Sequence, residues 1–192
     1  MDLPVLAGII PEGAIVTAVG LRLSPDCSEA QYASILGCLC DAMEFGYDYL
    51  PIYLGDAIQQ GERIWGDTYA QYVQVTGRRV ELLRDYVWVA RAVPEGIRHP
   101  SLRYGHYKAV AGVRGEGDSL RLRAAWLRRA AEEGWTVDEL RQLVKASVEP
   151  PEDGVMPPER LSLRQVLRTA LDYARQGEWA EVLRILEEAV ER

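Results

Sequence analysis

Residues 67–92 read DTYAQYVQVTGRRVELLRDYVWVARA, and the fold turns on how this stretch is divided. Gly77 separates a short amphipathic run from a longer one. Asp67 is suited to cap a helix over 68–75. Thr76-Gly77 makes a corner, because glycine enters positive φ without the penalty a Cβ carries. A second helix follows over 80–92 and is stopped by Pro94-Glu95-Gly96. Val73, Leu83, Tyr86 and Val87 fall on one side, while Arg78, Arg79, Glu81, Arg84, Asp85 and Arg91 fall on the other. A short helix, a positive-φ corner and an amphipathic second helix form the layout of a helix-turn-helix at about 68–92. A simple turn between two ordinary core helices would share the same local pattern.

Upstream, residues 1–25 form a lead-in. The segment MDLPVLAGIIPEG is irregular, with two prolines and two glycines. AIVTAVGLRL, at 14–23, is β-branched and roughly alternating, which predicts a single short N-terminal β-strand. One strand leaves its edges unsatisfied, so it should pair with a second subunit or lie along the helices. A helix is expected from Ser28, with Glu29 in its first turn and a stripe of Tyr32, Ile35, Leu36, Leu39 and Met43, ending at Gly46. Another spans 49–61, with Pro51 in its first turn.

Downstream, His99-Pro100-Ser101 opens a helix through Tyr104, Tyr107, Val110 and Val113. A further helix runs over 119–133 and closes at Gly134. Thr136 then caps the next helix, with Glu139 at the reciprocal position. EPPEDGVMPPE, with four prolines and four acids, marks a linker at 149–160. Residues 161–192 carry two amphipathic helices split at Gln176-Gly177. Such a hairpin buries too little surface to stand alone, so it should dock on the body or on a twin, making a homodimer. The expected class is all-α, mainly helical, with the helical domain at 26–148.

Composition supplies the electrostatics. The 192 residues carry a net charge of −7, and 48% are hydrophobic, enough for a real core. Apolar runs are short and the N-terminus lacks a basic segment followed by an apolar one, which predicts a cytoplasmic protein with no membrane partner. The absence of asparagine and the presence of only two lysines point to a GC-rich, thermophilic source. Charge is unevenly spread. Residues 78–129 hold 12 Lys and Arg against 5 Asp and Glu, and the rest of the chain holds 10 against 24. Screening over about 8 Å in physiological salt lets a basic face act independently of acids farther away. Pairing of that segment with the chain's own acids is the competing outcome.

An arginine reads guanine through two parallel hydrogen bonds, which makes Arg78, Arg79 and Arg84 the base-reading candidates. Arg91, Arg98, Arg103, Lys108 and Arg114 suit phosphates, and His106 suits packing or a phosphate. No catalytic, metal or cofactor site is expected. His99 and His106 are the only histidines, and no acid-rich spacing accompanies them. Cys38 and Cys40, two apart on a helix, point away from each other. The glycines of GVRGEGD lack the Lys-Ser or Lys-Thr of a phosphate loop. The tryptophans at 65, 88, 126, 135 and 179 are expected to be mostly core anchors.

The run YLGDAIQQGERIWGDTYAQYVQVTGRRVELLRDYVWVARAVPEGIRHPSLRYGHYKAVAGV, followed by WLRRAAEEGWTVDELRQLV, resembles the LmbU-like regulators. These are helix-turn-helix DNA-binding proteins of actinobacterial gene clusters, with relatives on phages and mobile elements. LRYGHYKAVAGV with EEGWTVDELRQLV is also similar to the DNA-binding half of ParB-type partition proteins. The similarity covers about residues 18–147. It implies that the helix after Thr76-Gly77 is the recognition helix, with Arg78, Arg79, Glu81, Arg84 and Asp85 where the family meets DNA. His106, in the GH pair, is grouped with the phosphate-side residues on its own reading and not on the resemblance. Small polar residues usually follow the family's TG corner, whereas here Arg78, Arg79 and Val80 do. Asp85 stands where the family often has asparagine, and would repel phosphate. The nucleotide-binding module of partition proteins is absent, so CTP switching is not implied.

The function expected from all this is a sequence-specific double-stranded DNA-binding transcriptional regulator, homodimeric and not an enzyme. It leaves room for a protein partner in the transcription machinery. Two alternatives stand beside it: a helical adaptor or inhibitor of a transcription or defence complex, and a plasmid or phage partition or replication accessory.

Overall fold

The stretch expected to form one strand makes two. In the computed structural model β1 (Ala14–Val16) runs antiparallel to β2 (Leu21–Leu23), with Ala14 opposite Leu23 and Val16 opposite Leu21. The Thr17 amide and hydroxyl both donate to the Gly20 carbonyl, at 2.9 and 3.0 Å, and close the turn. The outer edge of β2 is satisfied without a second subunit. Asp56 accepts from the Leu21 amide at 3.2 Å. Gln60 accepts from the Leu23 amide and donates to the Leu21 carbonyl, both at 2.8 Å. Helix side chains thus do the work of a third strand, so of the two outcomes expected for this segment it is the second, lying along the helices, that the structure shows.

The structure describes residues 8–44, 46, 48–66, 69–114 and 118–146, together with Ala174, Trp179 and Leu183, each in helical conformation. The Asp67 cap, the 149–160 linker and most of the 161–192 hairpin lie outside the described residues. The chain is mainly helical. α1 (Glu29–Met43) starts at Ser28, whose side chain accepts from Gln31 while Gln31 accepts from the Ser28 amide. α2 (Leu50–Trp65) runs four residues beyond the expected end, because Gly61 packs under Tyr32 instead of stopping the helix. α3 (Tyr69–Thr76) and α4 (Val80–Ala92) follow, then a 3-10 turn at Glu95–Ile97. The remaining helices are α5 (Tyr104–Ala111), α6 (Ser119–Glu133) and α7 (Val137–Ala146). At the start of α7 the Thr136 amide donates to Glu139 at 2.7 Å and the Glu139 amide donates back to Thr136.

α2 is the spine of the core. Leu50, Ile52, Leu54, Ala57 and Ile58 are fully buried along it. It packs against α1 and β2, and most extensively against α4. Contact with α4 is close because a Cβ at Gly55 would sit 2.4 Å from the Tyr86 carbonyl oxygen. α3 leans on α1, where Tyr72 meets Tyr32 edge to face at 5.8 Å. α5 supports α4 from the other direction and is itself backed by α6 and α7, with Trp126 and Trp135 6.2 Å apart in that layer. Among the described residues no helix is long and apolar enough to cross a membrane.

Candidate nucleic-acid interface

The corner between α3 and α4 is built locally. Gly77 adopts φ +64°, and its amide donates to the Val73 carbonyl at 2.9 Å, ending α3. The Thr76 hydroxyl donates to the Tyr72 carbonyl at 2.6 Å and accepts from the Arg78 amide at 3.3 Å. A residue with a Cβ at 77 would strain this left-handed turn. Arg79 is the N-cap of α4 and offers no side-chain acceptor to the first-turn amides.

α4 has two faces of opposite character. Leu83, Tyr86, Val87, Val89 and Ala90 are buried against α2 and its neighbours. Glu81, Arg84, Trp88 and Arg91 recur at three- and four-residue spacing and are all exposed, as is Arg79 just before the helix. The first two turns therefore present two arginines and a glutamate outward. Trp88 extends that stripe at 46% exposure, although it was expected among the core tryptophans. Trp126 and Trp135 are core residues, and Trp179 is 64% exposed.

The opposite end of α4 is tied down. Arg98 donates to the Val93 carbonyl at 2.7 Å and lies 3.5 Å from that of Ala90. Arg123 donates to the Ala92 carbonyl at 3.0 Å. Cations at a helix C-terminus meet both the unpaired carbonyls and the negative end of the dipole. Arg98 is held in turn by two hydrogen bonds to Asp56, at 2.7 and 2.8 Å, and donates to the Val19 carbonyl of the hairpin turn. Burial raises the pKa of the Asp56 carboxyl, while Arg98 and the Leu21 amide oppose that rise.

Several expected contacts change accordingly. Arg98 was expected at phosphate, but its side chain is 1% exposed and joins α2, α4 and the hairpin. His106 was placed with the phosphate-side residues and is instead buried. Its Nδ1 accepts from the Arg103 amide at 3.1 Å, and its Nε2 lies 2.9 Å from the Trp135 carbonyl, joining α5 to the start of α7. Burial pushes its pKa down, against the two backbone hydrogen bonds. Asp85 was a base-reading candidate; it accepts from Lys108 at 2.7 Å and from the Tyr104 hydroxyl at 3.0 Å, bracing α4 against α5. Lys108 is half exposed while making that bond.

Arg78 is only 22% exposed and leans back on α1, where it pairs with Glu44 at 3.3 Å. Beneath it, burial raises the pKa of the Cys40 thiol, and the Arg78 guanidinium pulls the other way. Arg91 pairs with Glu62 of α2, and Arg103 with Asp48 at 2.9 Å, both at the surface. Arg114 is exposed near the end of α7. The structure thus collects Arg79, Glu81 and Arg84 on one outward surface, with Arg78 at its margin. The buried positions of Arg98 and His106 were not legible in the sequence, since their partners lie 42 and 29 residues away.

Among the described residues no group of three His, Cys, Asp or Glu side chains converges as a metal site. A cavity of about 540 Å³ between α5, α6 and α7 is lined by Arg103, His106, Trp135 and Thr136. Both ring nitrogens of His106 are already engaged there, so the ring is not placed to act as an acid or base.

A short helix, a left-handed glycine corner and a second helix with an exposed N-terminal half thus follow one another over Tyr69–Ala92 in a mainly helical chain. No family model matches the chain, and no solved structure matches it. The chain is 31% identical over 168 residues to the transcriptional regulator NovE of Streptomyces niveus, a match that covers 85% of this chain and 69% of NovE. This protein belongs to the NovE family of transcriptional regulators.

Proposed function

We propose that this protein is a sequence-specific double-stranded DNA-binding regulator of transcription that sets the first turns of α4 in the major groove. The observation that carries the proposal is the outward placement of Arg79, Glu81 and Arg84 at the free end of a helix whose other end is clamped. Arg79 and Arg84 are the guanine readers, and Glu81 is placed to accept from a cytosine amino group. Arg78 contributes from the margin, after exchanging Glu44 for a base or phosphate. Arg91, Arg103, Lys108 and Arg114 act on phosphates, the first three by giving up surface ion pairs that are individually weak. Arg98, His106 and Asp85 hold the scaffold.

The likeness to LmbU-like regulators supports α4 as the recognition helix. The ParB-type likeness of the α5–α7 region, and an origin on a phage or other mobile element, belong to the same proposal and rest on sequence alone. A homodimer would read two half-sites about one helical turn apart. The exposed Trp179 and Leu183, four residues apart in helical conformation, are apolar positions that a twin would cover.

Selection of bound duplexes from a random pool, followed by titration of Arg84→Ala against the selected site, tests the proposal. The expected result is an enriched site, with affinity for it about tenfold lower in the variant and specificity relaxed at one base pair. Log affinity should fall linearly with log salt, and the slope should shrink by about 1 in the variant. Recovery of no preferred duplex, with wild type and variant alike indifferent to salt, would exclude it.

A further inference from the structure

An exposed tryptophan in the middle of a presented helix face is unusual. Its indole leaves a large apolar surface in water, where burial would gain free energy roughly in proportion to area. Trp88 is 46% exposed, and no partner for its Nε1–H lies among the described residues. It sits four residues after Arg84 and three before Arg91, on the same stripe. The buried face of α4 is fully supplied by Leu83, Val87 and Ala90 without it.

Resting on the proposed DNA-binding role, we infer that Trp88 is a DNA-backbone contact. Its ring lies on deoxyribose at the wall of the major groove and its Nε1–H donates to a phosphate oxygen. Register along the helix supports the wall over the base edges. Trp88 is seven residues beyond Glu81, about 10 Å along the axis. The major groove is about 8.5 Å deep. A helix that enters N-terminus first therefore brings Arg79 to Arg84 to the bases and Trp88 to the rim. The indole combines an apolar face with one donor, which matches a sugar edge beside a phosphate. The contact is uncharged and adds affinity without reading sequence.

Fluorescence anisotropy with two labelled duplexes, the selected site and a scrambled one of equal composition, tests this with the full chain. Trp88→Ala should weaken both duplexes by a similar factor, about tenfold. The salt slope should stay at the wild-type value, because no cation is removed. Trp88→Phe keeps a ring, loses the donor and should lose only a few-fold. Leu120→Ala removes an exposed apolar side chain of another helix, α6, and should bind as wild type. Helical circular dichroism and melting check that each variant is folded.

Wild-type affinity in Trp88→Ala, alongside intact wild-type binding, overturns the inference. So does a loss confined to the selected site, which would make Trp88 a base contact, or an equal loss in Leu120→Ala. If wild-type protein binds neither duplex, the DNA-binding proposal itself has failed.

Discussion

The two ends of α4 use arginine in opposite ways. At the C-terminal end Arg98 and Arg123 turn inward and donate to the Val93 and Ala92 carbonyls. At the N-terminal end Arg79 and Arg84 are exposed on the outward face. The difference lies in the acceptors that each neighbourhood offers. Around the C-terminus stand unpaired carbonyls and the buried Asp56 carboxylate, which together make burial of a guanidinium tolerable. Around the N-terminus the unpaired backbone groups are amides, which repel a cation. α4 is thus fixed at one end and presented at the other.

The largest test of this contrast breaks the inward end. Arg98→Ala leaves Asp56 charged and uncompensated in the core, and should destabilise the fold by about 3–5 kcal/mol in chemical denaturation. The double change Arg98→Met with Asp56→Leu should recover much of that loss. Equal stability of Arg98→Ala and wild type would show that the buried pair does not anchor α4.

A smaller effect probes the brace behind α5. The His106 pKa is lowered by burial, so the unfolded chain takes up a proton first as pH falls. Stability should be flat above pH 6.5, the unperturbed value, and decline below it. The decline is at most about 1.4 kcal/mol per pH unit for a single proton. Thermal melts from neutral to mildly acidic pH check this, and His106→Gln should flatten that part of the profile.

The smallest expected effect on stability sharpens the outward end. Asp85→Asn removes a partly screened surface ion pair with Lys108 and should cost under about 1 kcal/mol. DNA affinity should rise several-fold, with a steeper salt dependence, because one repulsive charge is gone and Lys108 is released to phosphate. Unchanged binding would place the Asp85–Lys108 pair outside the interface.

Much of the local architecture could be read residue by residue. Ser28, Gly77, Gly134 and the Thr136–Glu139 pair all mark helix boundaries, because each acts through backbone groups within four residues of itself. The hairpin was misread as a single strand. Its edge partners, Asp56 and Gln60, are more than 30 residues away, and nothing nearby announces them. Gly61 illustrates the converse error, since a glycine taken as a helix end instead serves a close contact with Tyr32.

By itself the sequence determined a mainly helical chain, the Gly77 corner between α3 and α4, and a basic segment within an acidic whole. Those properties depend on near neighbours and on composition. Only the tertiary structure decided which arginines face water. Burying a guanidinium requires acceptors on several elements at once, and Arg98 finds them on α2, α4 and the hairpin turn. Arg79, at the N-cap of α4, and Arg84, on its outward face, have the same chemistry and are exposed.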